Sequence, residues 1–194
     1  YKRQVVHEVK RLSSEGVREF NLIAQDSSFY GRDLNDGTTL ARLLKELVKI
    51  DNVKWIRLFY LYPTYFDDEL LEIITKEEKI CKYVDIPLQH ISDSVLRRMH
   101  RRDSSQSIKK LLKKLRNTTP YITIRTTLMV GFPGETEADF KELLTFIKAV
   151  KFDNMGAFTY SAQDGTPAAR MVDQVTEEIK ENRYHELMAA QAEI

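Results

Sequence analysis

The chain has one cysteine, Cys81, among its 194 residues. A single thiol excludes an internal disulfide and any metal site built from several cysteines of these residues, so a reducing, cytoplasmic setting is the default expectation. No apolar run reaches the roughly 18 residues that a membrane-spanning helix needs, and no signal-peptide pattern opens the chain. With 30 Lys and Arg against 29 Asp and Glu, the formal charge is +1. That balance gives no bulk attraction to nucleic acid or to a membrane.

Several catalytic motifs are also missing. The chain contains no HExxH, no GxSxG and no P-loop, and no carboxylate pair has a spacing that would identify a glycosidase. No GxGxxG turn follows the first predicted strand, which disfavours a dinucleotide-binding fold.

Strand-like runs alternate with amphipathic helices along the whole chain. This alternation predicts βαβ units and a parallel sheet. Right-handed crossovers favour an α/β fold of the partial, open TIM-like barrel type with about five βα units, and a doubly wound open sheet is the alternative. The predicted strands are 17–24, 53–60, 82–88, 120–130 and 155–160.

Polar residues and turns predict where the helices begin. Asp36 or Thr38 is expected to cap the second helix, and Ser92 the helix after the third strand. Thr136 to Asp139 resembles a capping box. Because residues 3–14 and 186–194 are helical in pattern without caps, we interpret residues 1–194 as one barrel core cut from a longer protein.

The turn Gly131 to Glu135 is the sharpest strand-to-helix junction. Its two glycines let a backbone approach a ligand closely, and Pro133 fixes the turn between them. Free N–H groups at the start of the following helix suit an anion. A tight connection with a helix cap is the alternative interpretation.

Polar side chains recur at or near the ends of the predicted strands. Arg125 shares one strand face with Thr123 and Thr127, and it could clamp a carboxylate or form an ion pair with Asp85 or with an acid of a helix. Arg57 poses the same question. Other strand ends carry polar side chains that either contact a ligand or stabilise the turn in which they lie. These residues are Gln25, Asp26, Gln89 and His90.

Two clusters of basic residues have different interpretations. His100, Arg101 and Arg102 follow a helix that is predicted to face the site, so a role in binding a partner is open. The lysines of 109–114 and Arg116 suit a solvated helix face.

Five sequence blocks in order resemble the radical S-adenosylmethionine methylthiotransferases. The blocks are LIAQDSSFYG (22–31), WIRLFYLYP (55–63), VDIPLQHISDSVLRRMHR (84–101), IRTTLMVGFPGETEADF (124–140) and FDNMGAFTYSAQDGTPAA (152–169). The sequence Ala24-Gln25-Asp26 is similar to the branch that modifies a ribosomal protein (RimO-type), whereas the tRNA-modifying branch usually has GQN there.

The resemblance implies a chemistry and a set of cofactor-binding residues. A reduced [4Fe-4S] cluster would cleave S-adenosylmethionine to give a deoxyadenosyl radical. This radical would abstract hydrogen from the β-carbon of an aspartate in a small-subunit ribosomal protein. Sulfur and a methyl group would then be added at that carbon. Gly131 to Glu135 would lie against the cofactor, Gln89 and Arg125 would meet its ribose or methionine part, and Phe158 and Tyr160 would wall the pocket. The implied cofactor-binding residues are Gln25, Asp26, Pro87, Gln89, Arg125, Gly131, Phe132, Pro133, Gly134, Glu135, Phe158 and Tyr160.

One departure from the family pattern concerns the cluster. The family's CxxxCxxC loop has no match in these residues, and neither do the family's N-terminal domain and C-terminal β-domain. We therefore expect no cluster on these residues and no activity of the fragment by itself. The parent protein would need an electron donor and a ribosomal protein substrate, with a possible RNA contact through the missing domain. The alternatives are a tRNA adenosine methylthiotransferase and a non-catalytic α/β binding module.

Overall fold

The computed structural model describes residues 2–194. The chain forms two compact units. The first comprises residues 1–86 and 114–123, and the second comprises residues 87–113 and 124–194.

The first unit is built on three parallel strands. They are β1 (Glu19–Leu22), β2 (Trp55–Leu58) and β3 (Ile80–Asp85), and they pair in chain order. The helices of this part of the chain are α1 (Lys2–Ser14), α2 (Leu40–Leu47) and α3 (Asp68–Lys76). Apolar side chains at helical spacing on α2 and α3 are buried because they cover the sheet. The largest fully buried side chains here include Leu44, Leu47, Ile56, Leu58 and Ile74.

The second unit contains the parallel pair β4 (Thr123–Val130) and β5 (Asn154–Thr159), apart from Thr123. The remaining helices are α4 (Asp93–Arg98), α5 (Ser105–Thr118, whose last residues belong to the first unit), α6 (Glu137–Val150) and α7 (Glu177–Ala192). An isolated bridge joins Gln89 to Leu128 of β4. This bridge places Gln89 beside β4, close to the end of that strand.

Alternation along β4 confirms the predicted assignment of its two faces. Ile124, Thr126 and Leu128 are fully buried, whereas Arg125 and Thr127 are half-buried on the other face. Period-2 alternation of this kind is what a strand with one packed face requires. The observed strands are mostly shorter than predicted. The preference of residues for strand conformation does not determine where hydrogen bonding between neighbouring strands ends.

The helix caps agree with the sequence in one case and differ in two. Thr136 and Asp139 form the predicted capping box at the start of α6. The cap of α2 is Thr39, so the predictions of Asp36 and Thr38 were wrong. Ser92 occupies the cap position of α4, but its side chain donates to Asp139 at 2.5 Å and makes no cap hydrogen bond.

The cap at Thr136 gives a first prediction. Thr136→Ala should lower the free energy of unfolding by about 1 kcal/mol, because it removes the acceptor for the N–H of Asp139. Chemical denaturation measures the change, and Thr136→Ser, which keeps the acceptor, serves as the control. An equal loss in both variants would contradict a capping role.

Among the described residues, no helix is both long and apolar enough to cross a membrane.

Candidate functional site

A cavity of about 400 Å³ lies within the second unit. Its walls come from Gln89, from the end of α4 with the turn that follows it, from the end of β4, and from the segment after β5. The lining residues are Gln89, Arg98, Met99, His100, Arg101, Met129, Phe132, Thr166, Pro167, Ala168 and Met171. The volume lies within the range of small-molecule binding sites.

Gln89 has a strained backbone and an unsatisfied side-chain oxygen. Its φ of 69° lies in the left-handed region, which costs a non-glycine residue on the order of 1–3 kcal/mol. The conformation persists because the N–H of Gln89 donates to Thr127 O at 2.9 Å and its carbonyl accepts from Met129 N at 2.7 Å. Its Oε1 is buried and has no hydrogen-bond partner among the described residues. His100, another lining residue, also has a positive φ, of 54°.

Much of the cavity wall is apolar and rich in sulfur. Three of the chain's five methionines, Met99, Met129 and Met171, line it. They pack against a buried cluster in which the rings of Phe132 and Tyr160 meet edge to face, with centroids 5.1 Å apart. Thioethers and ring edges favour a flat aromatic ligand, because both are polarisable and neither needs a hydrogen bond.

Glu135 holds the Gly131–Glu135 loop from within. Its Oε2 accepts from the backbone N–H of Gly131 at 2.6 Å and of Phe132 at 3.3 Å. Its Oε1 accepts from Arg183 Nη1 of α7 at 3.0 Å. The N–H groups of the loop itself therefore bind the protein's own carboxylate. At the start of α6, where the sequence suggested an anion, the capping box occupies the N–H groups of Thr136 and Asp139.

The two glycines of the loop lie close to side chains of the protein. A Cβ on Gly131 would come within 2.2 Å of Lys180 Cγ, and a Cβ on Gly134 within 2.4 Å of Arg98 Cζ. Arg98 is itself paired with Asp173 at 2.8 Å. Close approach by internal side chains, together with φ values of 74° and 81°, accounts for both glycines.

Burial shifts two titratable groups beside the loop in opposite directions. Desolvation raises the pKa of Glu135 to about 7, although Arg183 opposes the shift. Desolvation lowers the pKa of His90 to about 4. His90 is fully buried and its Nδ1 accepts from Ser92 N at 3.0 Å, so it acts as a neutral structural acceptor.

These shifts predict an unusual pH dependence of stability. The raised pKa of Glu135 makes its contribution fall as pH rises from about 4.5 to 7, whereas the lowered pKa of His90 makes its contribution rise from about 4 to 6.5. The two slopes oppose each other in the wild type between about pH 4.5 and 6.5. In Glu135→Gln only the His90 slope remains, so the free energy of unfolding should increase across that window by on the order of 1 kcal/mol per pH unit.

Denaturant titrations from pH 4.5 to 6.5 measure this slope. Glu142→Gln, which changes an exposed carboxylate, should keep the wild-type profile. If the free energy of unfolding changed with pH equally in the wild type and in Glu135→Gln, the proposed opposition between Glu135 and His90 would be contradicted.

The other predicted residues of the second unit lie around the cavity or on the half-exposed strand face. The carbonyl of Pro87 accepts from Arg101 Nη2 at 2.9 Å. Pro133 is buried within its loop. Arg125 Nη2 lies beside Gly156, and Phe158 is 60% exposed. Of all the predicted site residues, Gln89 and Phe132 line the cavity, and Tyr160 packs behind Phe132.

The remaining two predicted residues belong to the first unit. Asp26 Oδ1 accepts from the N–H groups of Ser28 and Phe29, which is the turn chemistry that was the alternative for this residue. Gln25 is exposed. Arg57 forms an ion pair, as its alternative interpretation expected, but the partner of its Nε is Glu19 Oε1 of β1 at 3.2 Å rather than Asp85 or a helix acid.

Sequence reasoning missed the residues that reach the site from outside the strand ends. Arg98, Met99, Met171, Lys180 and Arg183 come from helices or from the segment before α7. The positive charges in amphipathic helices resemble solvated residues, and nothing in their spacing distinguishes them. Among residues 2–194, no group of three His, Cys, Asp or Glu side chains is placed to hold a metal ion.

Comparison with known proteins places the chain in a family. The profile of the Radical SAM superfamily matches residues 1–147. The chain belongs to the radical SAM superfamily. It is 51% identical over 191 residues to the ribosomal protein uS12 methylthiotransferase RimO of Geotalea uraniireducens. The corresponding protein of Citrifermentans bemidjiense is 54% identical over 187 residues, and these matches confirm the resemblance found in the sequence blocks.

The alignments cover nearly all of this chain but less than half of each relative. The alignment with the Geotalea protein includes 98% of this chain and 43% of the relative. With the Citrifermentans protein the figures are 96% and 42%. The chain therefore spans less than half the length of the curated relatives it matches.

Solved structures of radical SAM enzymes confirm the fold class. Coproporphyrinogen III oxidase (HemN) from Escherichia coli superposes with a TM-score of 0.73 at 16% identity, covering 99% of this chain and 46% of that chain. The radical S-adenosylmethionine methyltransferase TsrM from Kitasatospora setae, solved with cobalamin and a [4Fe-4S] cluster, gives a TM-score of 0.67 at 17% identity and covers 87% of this chain and 33% of that chain. The fold is an α/β, partial TIM-like barrel with five parallel strands.

Proposed function

We propose that this chain is the barrel core of a ribosomal protein uS12 methylthiotransferase, and that the cavity in its second unit holds the adenosyl part of S-adenosylmethionine. The observation that carries the proposal is the cavity beside the left-handed Gln89, in a chain 51% identical to RimO of Geotalea uraniireducens. The same proposal includes three further points. Residues 1–194 belong to one barrel domain, the parent protein acts in the cytoplasm with the ribosomes, and it needs an electron donor.

The residues of the cavity fit this cofactor. Gln89 Oε1 is a buried acceptor without a partner among the described residues, which suits a hydroxyl or amino donor. Met99, Met129 and Phe132 provide an apolar wall for a purine ring. Arg101, which also lines the cavity, provides a positive charge for a carboxylate. Pro87 fixes that guanidinium through its carbonyl oxygen.

The iron–sulfur cluster does not fit these residues. Cys81, the chain's one cysteine, cannot supply a set of thiolate ligands. Burial raises the pKa of its thiol, which disfavours the thiolate. The cluster ligands of the parent protein would therefore come from residues other than these.

The chain's own contribution is binding and orientation. When bound, S-adenosylmethionine would supply hydrogen abstraction from an unactivated C–H bond, with the required electron coming from the reduced cluster of the parent protein. Gln89 would fix the ribose by accepting a hydrogen bond, and Phe132 would exclude water from one face of the ligand. Glu135 and Arg183 hold the loop that carries Phe132, so the wall is set before the ligand arrives.

The proposal is tested in the source organism. Deleting the parent gene should remove the methylthio group from uS12 and leave methylthiolated tRNA unchanged, as measured by mass spectrometry of both. Complementation with Gln89→Ala should restore the uS12 mark about 10-fold or more less efficiently than the wild type, because a buried hydrogen bond to the ligand is lost. Gln106→Ala, an exposed glutamine on α5, is the matched control. Loss of the mark on tRNA alone would identify a tRNA methylthiotransferase instead.

A further inference from the structure

The segment between β5 and α7 forms one side of the cavity. It comprises residues 161–175, and we name it the strap. Its one regular element is a single 3₁₀ turn, Ala168–Arg170. Irregular connections of this length are uncommon in compact domains and are often functional. Four strap residues line the cavity, namely Thr166, Pro167, Ala168 and Met171. A ligand in the cavity therefore touches a wall that belongs neither to the sheet nor to the long helices.

The strap is held in shape mostly by its own hydrogen bonds. Gln174 Nε2 donates to the carbonyls of Ala168 at 2.9 Å and of Met171 at 3.0 Å. Thr166 Oγ1 donates to the carbonyl of Gln163 at 2.8 Å. Because these bonds do not involve the rest of the second unit, the strap can move away from the cavity without losing them.

Asp173 alone makes the polar contacts that join the strap to other parts of the described chain, residues 2–194. Its carbonyl accepts from Gly134 N at 2.8 Å, and its Oδ2 pairs with Arg98 Nη1 at 2.8 Å. Gly134 lies in the loop that carries Phe132, and Arg98 lines the cavity. Asp173 thus ties the strap to two other walls of the cavity.

These attachments are weak enough for the strap to open. The side chains of Arg98 and Asp173 are 39% and 41% exposed, so water and salt weaken their attraction. The other attachment is apolar, since Ala168 and Met171 pack against the buried cluster that contains Phe132. Segments with few buried contacts open locally at low free energy, and the parts of proteins that move on ligand binding are drawn from them.

We propose that the strap is a movable wall of the cavity and that Asp173 is the latch that holds it closed. A ligand touches Ala168 and Met171 only when the strap is closed, so binding and closure stabilise each other. The identity of the ligand, S-adenosylmethionine, rests on the proposed function, whereas the latch is a property of the free chain.

Amide hydrogen exchange of the free 194-residue chain, resolved by NMR, tests the latch. The N–H of Gly134 reports strap opening, because its acceptor is the carbonyl of Asp173. In Asp173→Asn the exchange of Gly134 should be about 2- to 5-fold faster, the range that a half-exposed ion pair gives. The N–H of Glu135, which donates within the loop to Phe132 O at 2.9 Å, should exchange as in the wild type.

Asp164→Asn is the matched control, because it removes the same charge from an exposed strap residue that makes no ion pair among residues 2–194. In this variant Gly134 should exchange at the wild-type rate. Raising the salt concentration from about 0.02 M to about 0.5 M should speed the exchange of Gly134 relative to that of Glu135 in the wild type. The same increase should have a smaller effect in Asp173→Asn, because salt screens an ion pair that this variant lacks.

Addition of S-adenosylmethionine tests the coupling between the strap and the ligand. At about ten times the dissociation constant, the exchange of Gly134 in the wild type should slow by about 10-fold, because a ligand that binds only the closed form adds to the population of that form.

Several results would overturn the inference. These are equal exchange of Gly134 in the wild type and Asp173→Asn, an equal rise in Asp164→Asn, or a rise at Glu135 by the same factor, which would indicate melting of the loop instead of opening of the strap. Unchanged exchange of Gly134 in a chain that binds S-adenosylmethionine would also overturn it. A chain that binds no S-adenosylmethionine would instead contradict the proposed function, while the measurements on the free chain still decide whether Asp173 is a latch.

Discussion

Replacing Glu135 by alanine is expected to destabilise the protein by about 3–5 kcal/mol, because the change removes the nearer and fully buried carboxylate of the Arg183 guanidinium and leaves only Glu137, which is largely exposed and lies 3.6 Å away. The substitution also removes the acceptor for the N–H groups of Gly131 and Phe132, which are buried. An unsatisfied buried donor costs about 1–3 kcal/mol. Urea denaturation at pH 8, where Glu135 with its pKa of about 7 is mostly ionised, measures the total.

Two further variants separate the causes. Glu142→Ala removes an exposed carboxylate that pairs with Lys109 at 3.7 Å, and it should change stability by at most about 1 kcal/mol. Glu135→Gln keeps an acceptor for the loop but lacks the charge, so its loss should be smaller than that of the alanine variant. A loss below about 1 kcal/mol in Glu135→Ala would show that the carboxylate does not hold the loop.

Gly131→Ala is expected to cost about 2–5 kcal/mol, the sum of two effects. A side chain at φ 74° costs about 1–2 kcal/mol. The new Cβ would also lie 2.2 Å from Lys180 Cγ, and forcing an added methyl group into a packed site typically costs about 1–3 kcal/mol. Lys180 is 3% exposed and its ammonium lies 5.3 Å from the Tyr160 ring centroid, so it has little freedom to move.

Gly165→Ala is the matched control for the backbone effect. Gly165 has a φ of 83°, and an added Cβ would have no neighbour within 4 Å. Its cost should therefore be about 1–2 kcal/mol from the backbone alone. In a double-mutant cycle, Lys180→Ala should recover part of the Gly131→Ala loss. Equal losses at Gly131 and Gly165, with no coupling to Lys180, would contradict the packing account.

The sequence predicted the fold because its signals are local and repeated. Alternation in β4, from Ile124 to Leu128, and the capping box at Thr136 each follow from the chemistry of a few neighbouring residues. The family blocks then identified the class of barrel. Strand ends and the caps of α2 and α4 were less predictable, because several polar residues compete for each position and tertiary contacts choose between them. Ser92 shows this, since Asp139 of a different helix takes its hydroxyl.

The site was predicted in part for a related reason. Gln89 could be predicted because it is a polar residue directly after the predicted strand 82–88. Phe132 could be predicted because it lies between the two glycines of the Gly131–Glu135 loop. The sequence did not predict that Lys180 and Arg98 approach the two loop glycines. Such contacts join residues up to 49 positions apart, and no periodic pattern records them. The pairing of Glu135 with Arg183 could not be predicted for the same reason, because Arg183 lies on a distant helix.

The most direct test of the central claim is an NMR titration of the ¹⁵N-labelled chain with S-adenosylmethionine, with Gln89→Ala as the comparison. The account predicts shifts in the amide signals around the cavity, at Gln89, Met99, Met129 and Phe132, and weaker binding in Gln89→Ala. Shifts confined to residues away from that cavity, or equal affinity in the two proteins, would contradict it.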